Sequence, residues 1–328
     1  MRAIALNSFG GLEQLTLMEL PVPVPGPDEV LIRIKAAGVN PVDYKIREGY
    51  LKDAIPHRFP VIPGWDASGI VEKVGSQATR FAPGEAVYAY CRKALVCGGT
   101  YAEYVAVPEE CVARKPARLS FEEAASVPLA ALTAYQALFD AGKLCRGQSV
   151  AILGATGGVG GFAVQLAHNA GAQVIAVAGK QNREYALSLG ASAYVDYSSE
   201  DVAASVQHHV PGGVDLAFDC VGGEAKQKSA ALIRRGGRLV SILRNEPTPD
   251  LKEKQLSYEG VFVAPNAAQL ELIRQQIDEG RLHTTISRIF PLEEAAHAQE
   301  LMQSGHTRGK IVLQIDCVAG SPFTPSVR

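Results

Sequence analysis

The chain has 328 residues and a mass of 34.8 kDa, which is enough for about two domains. It is 47% hydrophobic and 20% charged, so we expect a packed core rather than disorder. The formal net charge of -2 provides no general attraction to nucleic acid or to an anionic membrane surface. No apolar run approaches the ~18 residues of a membrane span, and no signal peptide is recognisable. The six cysteines contain no CxxC pair and are too sparse for a disulfide scaffold, so we expect a cytoplasmic location. The charge and the lack of an apolar span predict neither a nucleic-acid nor a membrane partner.

The first third of the chain is expected to be rich in β-strands. Residues 29–37 alternate apolar and polar side chains, as a half-buried strand does, and further strands are predicted at 68–74, 85–89 and 101–107. Glycines and prolines separate these short strands, which favours a small barrel or sandwich. Ser120, followed three residues later by Glu123, is typical of a capping box and predicts the start of a helix.

The middle of the chain alternates apolar strands with helical stretches. The predicted strands are 149–154, 173–178, 193–197, 214–221, 238–243 and 260–264, and the predicted helices are 159–169, 183–189, 201–206 and 225–234. The strands are apolar runs, as expected when helices cover both faces of a sheet. This pattern predicts an α/β fold with a doubly wound parallel sheet.

The segment after Pro265 is similar in pattern to the first third. It predicts helices over 267–279 and 292–304, strands at 285–290 and 310–315, and a loose tail over 317–328. We therefore expect one domain from residues 1–124 together with 266–328, and a nucleotide-binding domain from 125–265.

A glycine-rich loop follows the strand SVAIL and opens a helix. Its residues are Gly154, Ala155, Thr156, Gly157, Gly158, Val159 and Gly160. Glycines allow a tight turn and let the backbone approach a pyrophosphate, while the helix start offers unpaired N–H groups and a partial positive charge. Because strand, loop, helix and next strand follow at the required spacing, these residues are predicted to bind a dinucleotide.

The end of the second strand bears on the choice of dinucleotide. NAD sites usually carry an acidic residue there, whereas this chain has Gly179, Lys180, Gln181, Asn182 and Arg183 before the first acid. Gly179 ends the strand, and Lys180, Asn182 and Arg183 are predicted to bind a 2′-phosphate, which favours NADP(H). The alternative is a solvated helix start, although cations at that end oppose the helix dipole.

Several segments in this order resemble the medium-chain dehydrogenase/reductase superfamily, within it the zinc-free quinone oxidoreductase and enone (2-alkenal) reductase group. They are AAGVNPVDYKIREG (36–49), FPVIPGWDASGIVEKVG (59–75), LTAYQAL (132–138), GATGGVG (154–160), SLGASAYVDY (188–197), FDCVGG (218–223) and RGKIVL (308–313). The resemblance implies a Rossmann-type nucleotide-binding domain beside a β-rich, GroES-like catalytic domain. Zinc members place metal ligands at positions that match Asn40, Trp65 with Asp66, and Leu129, so no metal is expected here.

The resemblance also implies roles for single residues. Lys45 is expected to donate to the substrate carbonyl as a catalytic residue, and Asn40 to line the nicotinamide pocket with it. Tyr44, which points away from Lys45 if this segment is extended, and Trp65 are expected at the substrate pocket. Matching cofactor contacts are Thr133, Tyr197, Cys220, Ile242, Leu243, Phe262, Val263 and Lys310. The alternatives are a surface ion pair for Lys45, a helix-capping role for Asn40 and a core position for Trp65.

The resemblance therefore implies NADPH-dependent hydride transfer to the activated C=C of an α,β-unsaturated carbonyl, without zinc. Quinone reduction by the same residues, enoyl-thioester reduction and a low-turnover NADPH-binding protein are the alternatives. The expected partners are a small, apolar, electron-poor carbonyl or quinone substrate and a second copy of the chain.

Overall fold

The computed structural model describes residues 1–199, 201–243, 248–305 and 307–315. The predicted tail at 317–328 lies outside these residues. The described chain folds around two large sheets and a two-stranded ribbon. None of the described helices is both long enough and apolar enough to cross a membrane.

The first part of the chain is mostly strand. Its elements are β1 (Arg2–Ala5), β2 (Thr16–Glu19), β3 (Glu29–Val39), α1 (Pro41–Arg47), β4 (Asp66–Val74), β5 (Ala86–Tyr90), β6 (Tyr104–Pro108) and β7 (Val112–Arg114). The predicted strands are all present, with bounds shifted by at most three residues.

The middle of the chain alternates strand and helix. Its elements are α2 (Phe121–Ala125), α3 (Pro128–Tyr135), β8 (Ser149–Leu153), α4 (Gly158–Asn169), β9 (Gln173–Ala178), α5 (Arg183–Ser188), β10 (Ala193–Asp196), α6 (Val202–His209), β11 (Val214–Asp219), α7 (Gly223–Lys228), β12 (Ile233–Ser241) and β13 (Ser257–Gly260). The capping box before α2 is formed, since Glu123 N donates to Ser120 Oγ at 3.1 Å and Ser120 N to Glu123 Oε2 at 2.8 Å.

The last described part adds α8 (Ala267–Asp278), β14 (Ile286–Pro291), α9 (Ala295–Gln303) and β15 (Lys310–Gln314). Shorter segments are the 3-10 helices Leu12–Gln14, Glu109–Cys111, Lys180–Asn182, Ser229–Leu232 and Leu292–Glu294 and the π-helix Gln136–Ala141.

The middle strands form one parallel sheet in the order β10-β9-β8-β11-β12-β13. Strand β8, the first of these in the sequence, lies inside the sheet. Strands β9 and β10 follow on one side of it, and β11, β12 and β13 on the other. This order confirms the predicted doubly wound sheet, and it places the loops after β8 and β11 at a topological switch point.

The remaining strands form a second sheet in the order β14-β15-β3-β4-β5-β7, with β6 paired to β3. Strand β15 runs antiparallel to β3, so the end of the described chain returns to the first sheet. The division into domains at residues 124 and 265 stays a prediction.

Three sequence predictions are wrong in detail. The segment around Tyr44 is helical rather than extended, because Pro41 at the first helical position preorganises α1 and Asp43 Oδ2 accepts from Asn40 N at 2.8 Å. The helix predicted at 225–234 ends earlier, since Ile233 pairs with Val214 and extends β12.

The last parallel strand is Ser257–Gly260 rather than residues 260–264. Its partner β12 ends at Ser241, which pairs with Gly260. A strand needs a hydrogen-bonded neighbour, and only Val261 N, which donates to Ser241 O at 2.9 Å, continues the ladder.

Apolar side chains of both sheet regions meet in the largest core cluster. Trp65 and Tyr90 from the antiparallel region share it with Leu132 on α3 and Phe162 on α4. The cleft between the two regions is therefore closely packed along much of its length, and the candidate site lies at its polar end.

Candidate active site

The glycine-rich loop joins β8 to the start of α4. Gly154 has φ +77°, a conformation that favours glycine, and its N–H donates to Val177 O at 3.1 Å. A Cβ on Gly160 would lie 2.1 Å from Gly154 O, so the helix can approach the strand only without a side chain. The first turn of α4 leaves backbone N–H groups without intrahelical acceptors. These features fit the pyrophosphate of a dinucleotide.

Residues 308–310, which lead into strand β15 of the antiparallel sheet and are called the strap below, cross this loop. Gly309 N donates to Thr156 O at 3.2 Å, and a Cβ on Gly158 would lie 2.8 Å from Lys310 Cδ. Within the loop, Ala155 and Thr156 are buried and Val159 is half-buried. The residues just before β15 and the predicted phosphate loop therefore lie in direct contact.

The loop after β9 carries the residues predicted to bind the ribose end of the dinucleotide. Lys180 and Arg183 are exposed, and a Cβ on Gly179 would lie 3.4 Å from the hydroxyl of Tyr197, which is 63% exposed. The Arg183 guanidinium lies 5.9 Å from the ring centre of Tyr194. The predicted residues thus lie together, with two cations open to solvent.

Arg308 adds a third cation here that the sequence prediction missed. Its Nε donates to Asn182 Oδ1 at 3.1 Å and its Nη2 to Gln181 O at 3.2 Å, and its guanidinium lies 5.1 Å from the ring centre of Tyr185. Arg308 precedes Gly309 on the same strap, so one segment touches both ends of the predicted nucleotide site. Only its position inside the RGKIVL motif could have indicated this role.

A buried polar cluster lies below the strap. Lys310 Nζ donates to Val39 O at 3.0 Å and to Asn40 Oδ1, and lies 3.8 Å from Asp66 Oδ2. Asn40 Nδ2 donates to the same Asp66 oxygen at 2.9 Å, and Leu129 N donates to Asp66 Oδ1 at 2.7 Å. Asn40 is therefore held by two charged groups, and its amide connects the strap to β4.

Asp43, in the first turn of α1, completes this cluster. Its Oδ2 accepts from Tyr101 Oη at 2.9 Å, while the buried Oδ1 has no hydrogen-bond partner within the described residues. Burial raises the pKa of Asp43 to about 7 and that of Asp66 to about 6, partly offset by hydrogen bonds and by the Lys310 charge. Burial also lowers the pKa of Lys310, opposed by the two carboxylates.

Lys45 and Tyr44 lie on α1 beyond this cluster. Both side chains are half-buried, and the Lys45 ammonium makes no hydrogen bond or ion pair with any described residue. The surface ion pair considered as the alternative for Lys45 is therefore not formed. Burial and the nearby Glu48 charge raise the pKa of Tyr44, so this phenol stays protonated.

Trp65 and Thr133 are both buried. The Trp65 ring lies in the core, where it meets Tyr90 edge-on at 6.1 Å, and it borders a cavity of about 10 Å³, enough for about one water molecule. Its place in a substrate pocket stays a prediction. Thr133 Oγ1 donates to Leu129 O at 2.6 Å within α3. The same Leu129 donates its N–H to Asp66, so α3 is tied directly to the polar cluster.

The predicted strand-end contacts gather at one edge of the parallel sheet. Cys220 N donates to Leu153 O at 3.2 Å, and Ile242 N donates to Asp219 O at 3.2 Å. Leu243 O accepts from Lys226 Nζ at 2.7 Å. This edge is the carboxyl end of the strands, where ligands bind in such sheets.

Phe262 and Val263 are held from both sides of the cleft. Arg92, just after β5, donates from Nη1 to Val263 O at 2.8 Å and lies 4.3 Å from the ring centre of Phe262. Gln136 pairs with the backbone of Ala264, accepting at 3.0 Å and donating at 2.8 Å. Neither Arg92 nor Gln136 was predicted, because one sequence does not show which residues meet across the cleft.

The donor set does not fit a catalytic metal ion. Among the described residues, no group of three or more His, Cys, Asp or Glu side chains could hold one. At the positions that resemble metal ligands, an amide, an indole and a leucine replace thiolate or imidazole, and the Lys310 ammonium already binds the available oxygens.

Comparisons with known proteins agree with this architecture. The family model described as Alcohol dehydrogenase GroES-like domain matches residues 26–117, and the one described as Zinc-binding dehydrogenase matches residues 189–313.

Individual proteins match over nearly the whole chain. A chloroplast envelope quinone oxidoreductase homolog of Arabidopsis thaliana is 33% identical, over 96% of this chain and 98% of its own length. An NADPH-dependent alkenal/one oxidoreductase of the same plant is 33% identical, over 95% of this chain and 79% of its own. A crystal structure of an NAD-dependent alcohol dehydrogenase has a TM-score of 0.89 and 34% identity, over 96% of this chain and 100% of that one. The chain therefore belongs to the quinone oxidoreductase and enone reductase group of the medium-chain dehydrogenase/reductase superfamily, whose members are nicotinamide-type oxidoreductases.

Proposed function

We propose that this protein is an NADPH-dependent, zinc-independent reductase of the activated C=C of α,β-unsaturated carbonyls. One chain of contacts supports this proposal. Gly158 of the glycine loop lies beside Lys310, and Lys310 donates to Asn40, the residue just before helix α1. Helix α1 also bears Lys45, whose ammonium has no partner among the described residues. The predicted dinucleotide site is thus connected to the helix that carries a free hydrogen-bond donor. A cytoplasmic location remains a prediction from the sequence.

NADPH is the proposed cofactor because the ribose end of the site is positively charged. Lys180, Arg183 and Arg308 surround the loop after β9, and no acid occupies the position that would bind a ribose 2′-hydroxyl. Three cations would attract a 2′-phosphate, whereas a carboxylate would repel it. The relative from Arabidopsis named NADPH-dependent agrees with this choice, although a structural neighbour is named NAD-dependent.

The bound nicotinamide would supply hydride to the β-carbon of the substrate. Lys45 would donate to the carbonyl oxygen as negative charge develops there, in a site partly shielded from water. The α-carbon would then take a proton from solvent, so no strong general base is required. Catalysis would depend on orientation and on electrostatic stabilisation of the enolate.

The first experiment measures NADPH and NADH oxidation with small enones, 2-alkenals, crotonyl thioesters and simple quinones. Lys45→Ala is expected to lower kcat/KM for enones by ~10²-fold or more, the usual effect of losing one oxyanion donor. Lys52→Ala is the matched control, because Lys52 is an exposed lysine in the turn just after α1. NADPH should be preferred over NADH.

Each alternative has its own outcome in this panel. Quinone turnover that is insensitive to Lys45 would indicate a quinone reductase, which the name of the Arabidopsis envelope relative favours. Turnover confined to crotonyl thioesters would indicate an enoyl-thioester reductase. Saturable NADPH binding without turnover would contradict the proposed activity and indicate a low-turnover NADPH-binding protein.

A further inference from the structure

Helix α1 carries Lys45, but it is too short to hold its own orientation. It has 7 residues, and isolated helices of fewer than about 12 residues are marginally stable in water. Contacts with the rest of the molecule must therefore set the direction of α1. One face of the helix makes these contacts, since Asp43, Ile46 and Arg47 are buried and lie three or four positions apart.

Lys45 lies on the other side of α1. It is two positions away from both Asp43 and Arg47, and residues two apart do not share a face of an α-helix. Its side chain is half-buried, and no hydrogen bond to a described residue holds its ammonium in place. The contacts of the buried face therefore decide where Lys45 points.

Arg47 is the anchor at the end of this buried face. It is 1% exposed, although arginine is almost never fully buried unless it is paired. Its Nη1 donates to Gln299 Oε1 at 2.8 Å, and its Nη2 donates to Gln303 Oε1 at 3.3 Å and to Glu48. Both glutamines belong to α9, so the guanidinium joins α1 directly to α9.

The same side chain also holds the N-terminal part of the chain. Arg47 Nε donates to Gly10 O at 3.3 Å, and Gly10 N donates to Arg47 O at 2.9 Å. Gln303 Nε2 donates to Glu48 Oε1 at 3.0 Å, so two partners of the guanidinium also bind each other. These contacts fix the plane of the guanidinium, whose rigid fork directs its donors in a way that a lysine ammonium does not.

A buried charge is a costly means of stabilising a contact between helices. Well-packed apolar residues of similar volume often replace a buried ion pair without loss of stability. The carboxylate beside Arg47 belongs to Glu48, whose side chain is 26% exposed, so the pair is only partly shielded from water. The arginine therefore adds direction to the contact between α1 and α9 rather than a large gain in stability.

We propose that Arg47 is a positioning residue for the reaction: by fixing the buried face of α1 against α9, it directs Lys45 towards the substrate carbonyl. This inference rests on the proposed function, in which Lys45 donates to that oxygen. The hydrogen bonds of the Arg47 side chain within the described residues include none to the predicted phosphate loop. Its effect on turnover should therefore pass through Lys45, since a misplacement of about 1 Å can lower a rate by about 10²-fold.

A double-mutant cycle tests this dependence. The value of kcat/KM for a small enone with NADPH is measured for Arg47→Met, for Lys45→Ala and for the double variant. Arg47→Met alone should lower kcat/KM by about tenfold or more. In the Lys45→Ala background the same substitution should lower it by less than about twofold, because no donor is left to position. The Kd of NADPH should be the same for Arg47→Met and the unmodified protein.

Two further variants complete the cycle. Gln299→Met removes the acceptor on α9 while keeping the arginine, and its effect should depend on Lys45 in the same way. Arg274→Met is the matched control, because Arg274 is a partly buried arginine whose ion pairs with Glu271 and Asp278 lie within α8. It should leave kcat/KM unchanged. Equal losses with and without Lys45, which a purely structural role would produce, or no loss in either anchor variant, would overturn the inference.

Lysine acylation separates this inference from the proposed activity. Acetylation by an N-hydroxysuccinimide ester, followed by mass spectrometry, reports the surroundings of each ammonium without any substrate. Arg47→Met and Gln299→Met should change the rate at Lys45 and leave the rate at Lys52, the exposed lysine just after α1, as in the unmodified protein. This result supports the anchor even if no enone is reduced. An unchanged rate at Lys45 counts against the anchor even if enones are reduced with the help of Lys45.

Discussion

The side chain of Lys310 joins parts of the cleft that are far apart in sequence. Its stem touches the predicted phosphate loop at Gly158, and its ammonium is buried among Val39 O, Asn40 and Asp66. Removing one partner of a buried ion pair lowers the free energy of unfolding by about 3–5 kcal/mol, because the other charge stays buried and unpaired. At the scale of single residues, charge pairing therefore joins these parts of the cleft.

The raised pKa values of the two acids make stability depend on pH. Asp43 binds its proton up to about pH 7 and Asp66 up to about pH 6, against a usual value of 3.8 for both. The folded state therefore holds more protons than the unfolded state in this interval, and the free energy of unfolding falls as pH rises through it. Asn40, Tyr101 and Lys310 are the polar groups that face these two carboxyls.

Asp43→Asn should flatten this dependence. The variant loses one titrating group, so its free energy of unfolding should fall less steeply between pH 4.5 and 7. The slopes of the variant and the unmodified protein should differ by up to ~1.4 kcal/mol per pH unit. Urea unfolding at several pH values, with Asp53→Asn as the control for an exposed acid near α1, measures the difference. Parallel pH profiles for the variant and the unmodified protein would show that Asp43 keeps its usual pKa.

At the scale of elements, the contact of α4 with β8 decides whether a phosphate can approach the backbone. Gly160 and Gly161 are neighbours on α4, yet their surroundings differ. A Cβ on Gly160 would meet Gly154 O at 2.1 Å and Ala155 Cα at 2.8 Å, both backbone positions, whereas a Cβ on Gly161 would meet only side-chain atoms at 3.7 Å. The close approach of α4 to the end of β8 therefore requires glycine at position 160 but not at position 161.

Gly160→Ala should therefore displace α4 from β8. We expect a destabilisation of about 1–3 kcal/mol from overpacking, together with weaker NADPH binding. Gly161→Ala is the matched control and should be neutral or stabilise the helix by about 0.5–1 kcal/mol. Urea unfolding and NADPH fluorescence titration of both variants provide the measurement. Similar effects of the two substitutions would contradict the assigned contact.

At the scale of the whole molecule, the two sheet regions are joined by contacts between residues far apart in the chain. The strap before β15 reaches Thr156 and Asn182, and Arg92 reaches Val263. These contacts connect both ends of the predicted nucleotide site, and the strand-end residue Val263, to the antiparallel sheet. We therefore expect cofactor binding to depend on how the two regions meet.

The outer edge of β13 is the place where a homodimer is expected. This strand pairs only with β12 among the described strands, and Val261 N points to Ser241 O, so the N–H groups of Tyr258 and Gly260 face outwards. We expect a particle of twice the chain mass of 34.8 kDa by light scattering. Gly260→Pro, which removes an outward donor, should shift it towards the monomer. A monomeric unmodified protein, or a dimer unaffected by this substitution, contradicts pairing at this edge.

Local patterns were sufficient for much of the fold. Apolar runs placed β8, β9 and β11 almost to the residue, because strand formation there follows from burial on both faces. The capping box at Ser120 could also be predicted, since its two hydrogen bonds join residues only three positions apart. The helical form of α1 was missed, although Pro41 at its first turn is a local signal.

The predicted phosphate loop and the cations Lys180 and Arg183 belong to a short stretch of consecutive strands, loops and helices. Their relative positions follow from spacing along the chain. Their placement together could therefore be predicted without the rest of the molecule. The partners of Lys310 and Arg92 could not, since they lie as far as 271 and 171 residues away. Such contacts exist only after the chain has returned to its first sheet, because folding rather than residue order brings their atoms together. The buried charges of the polar cluster were therefore visible only in the folded molecule.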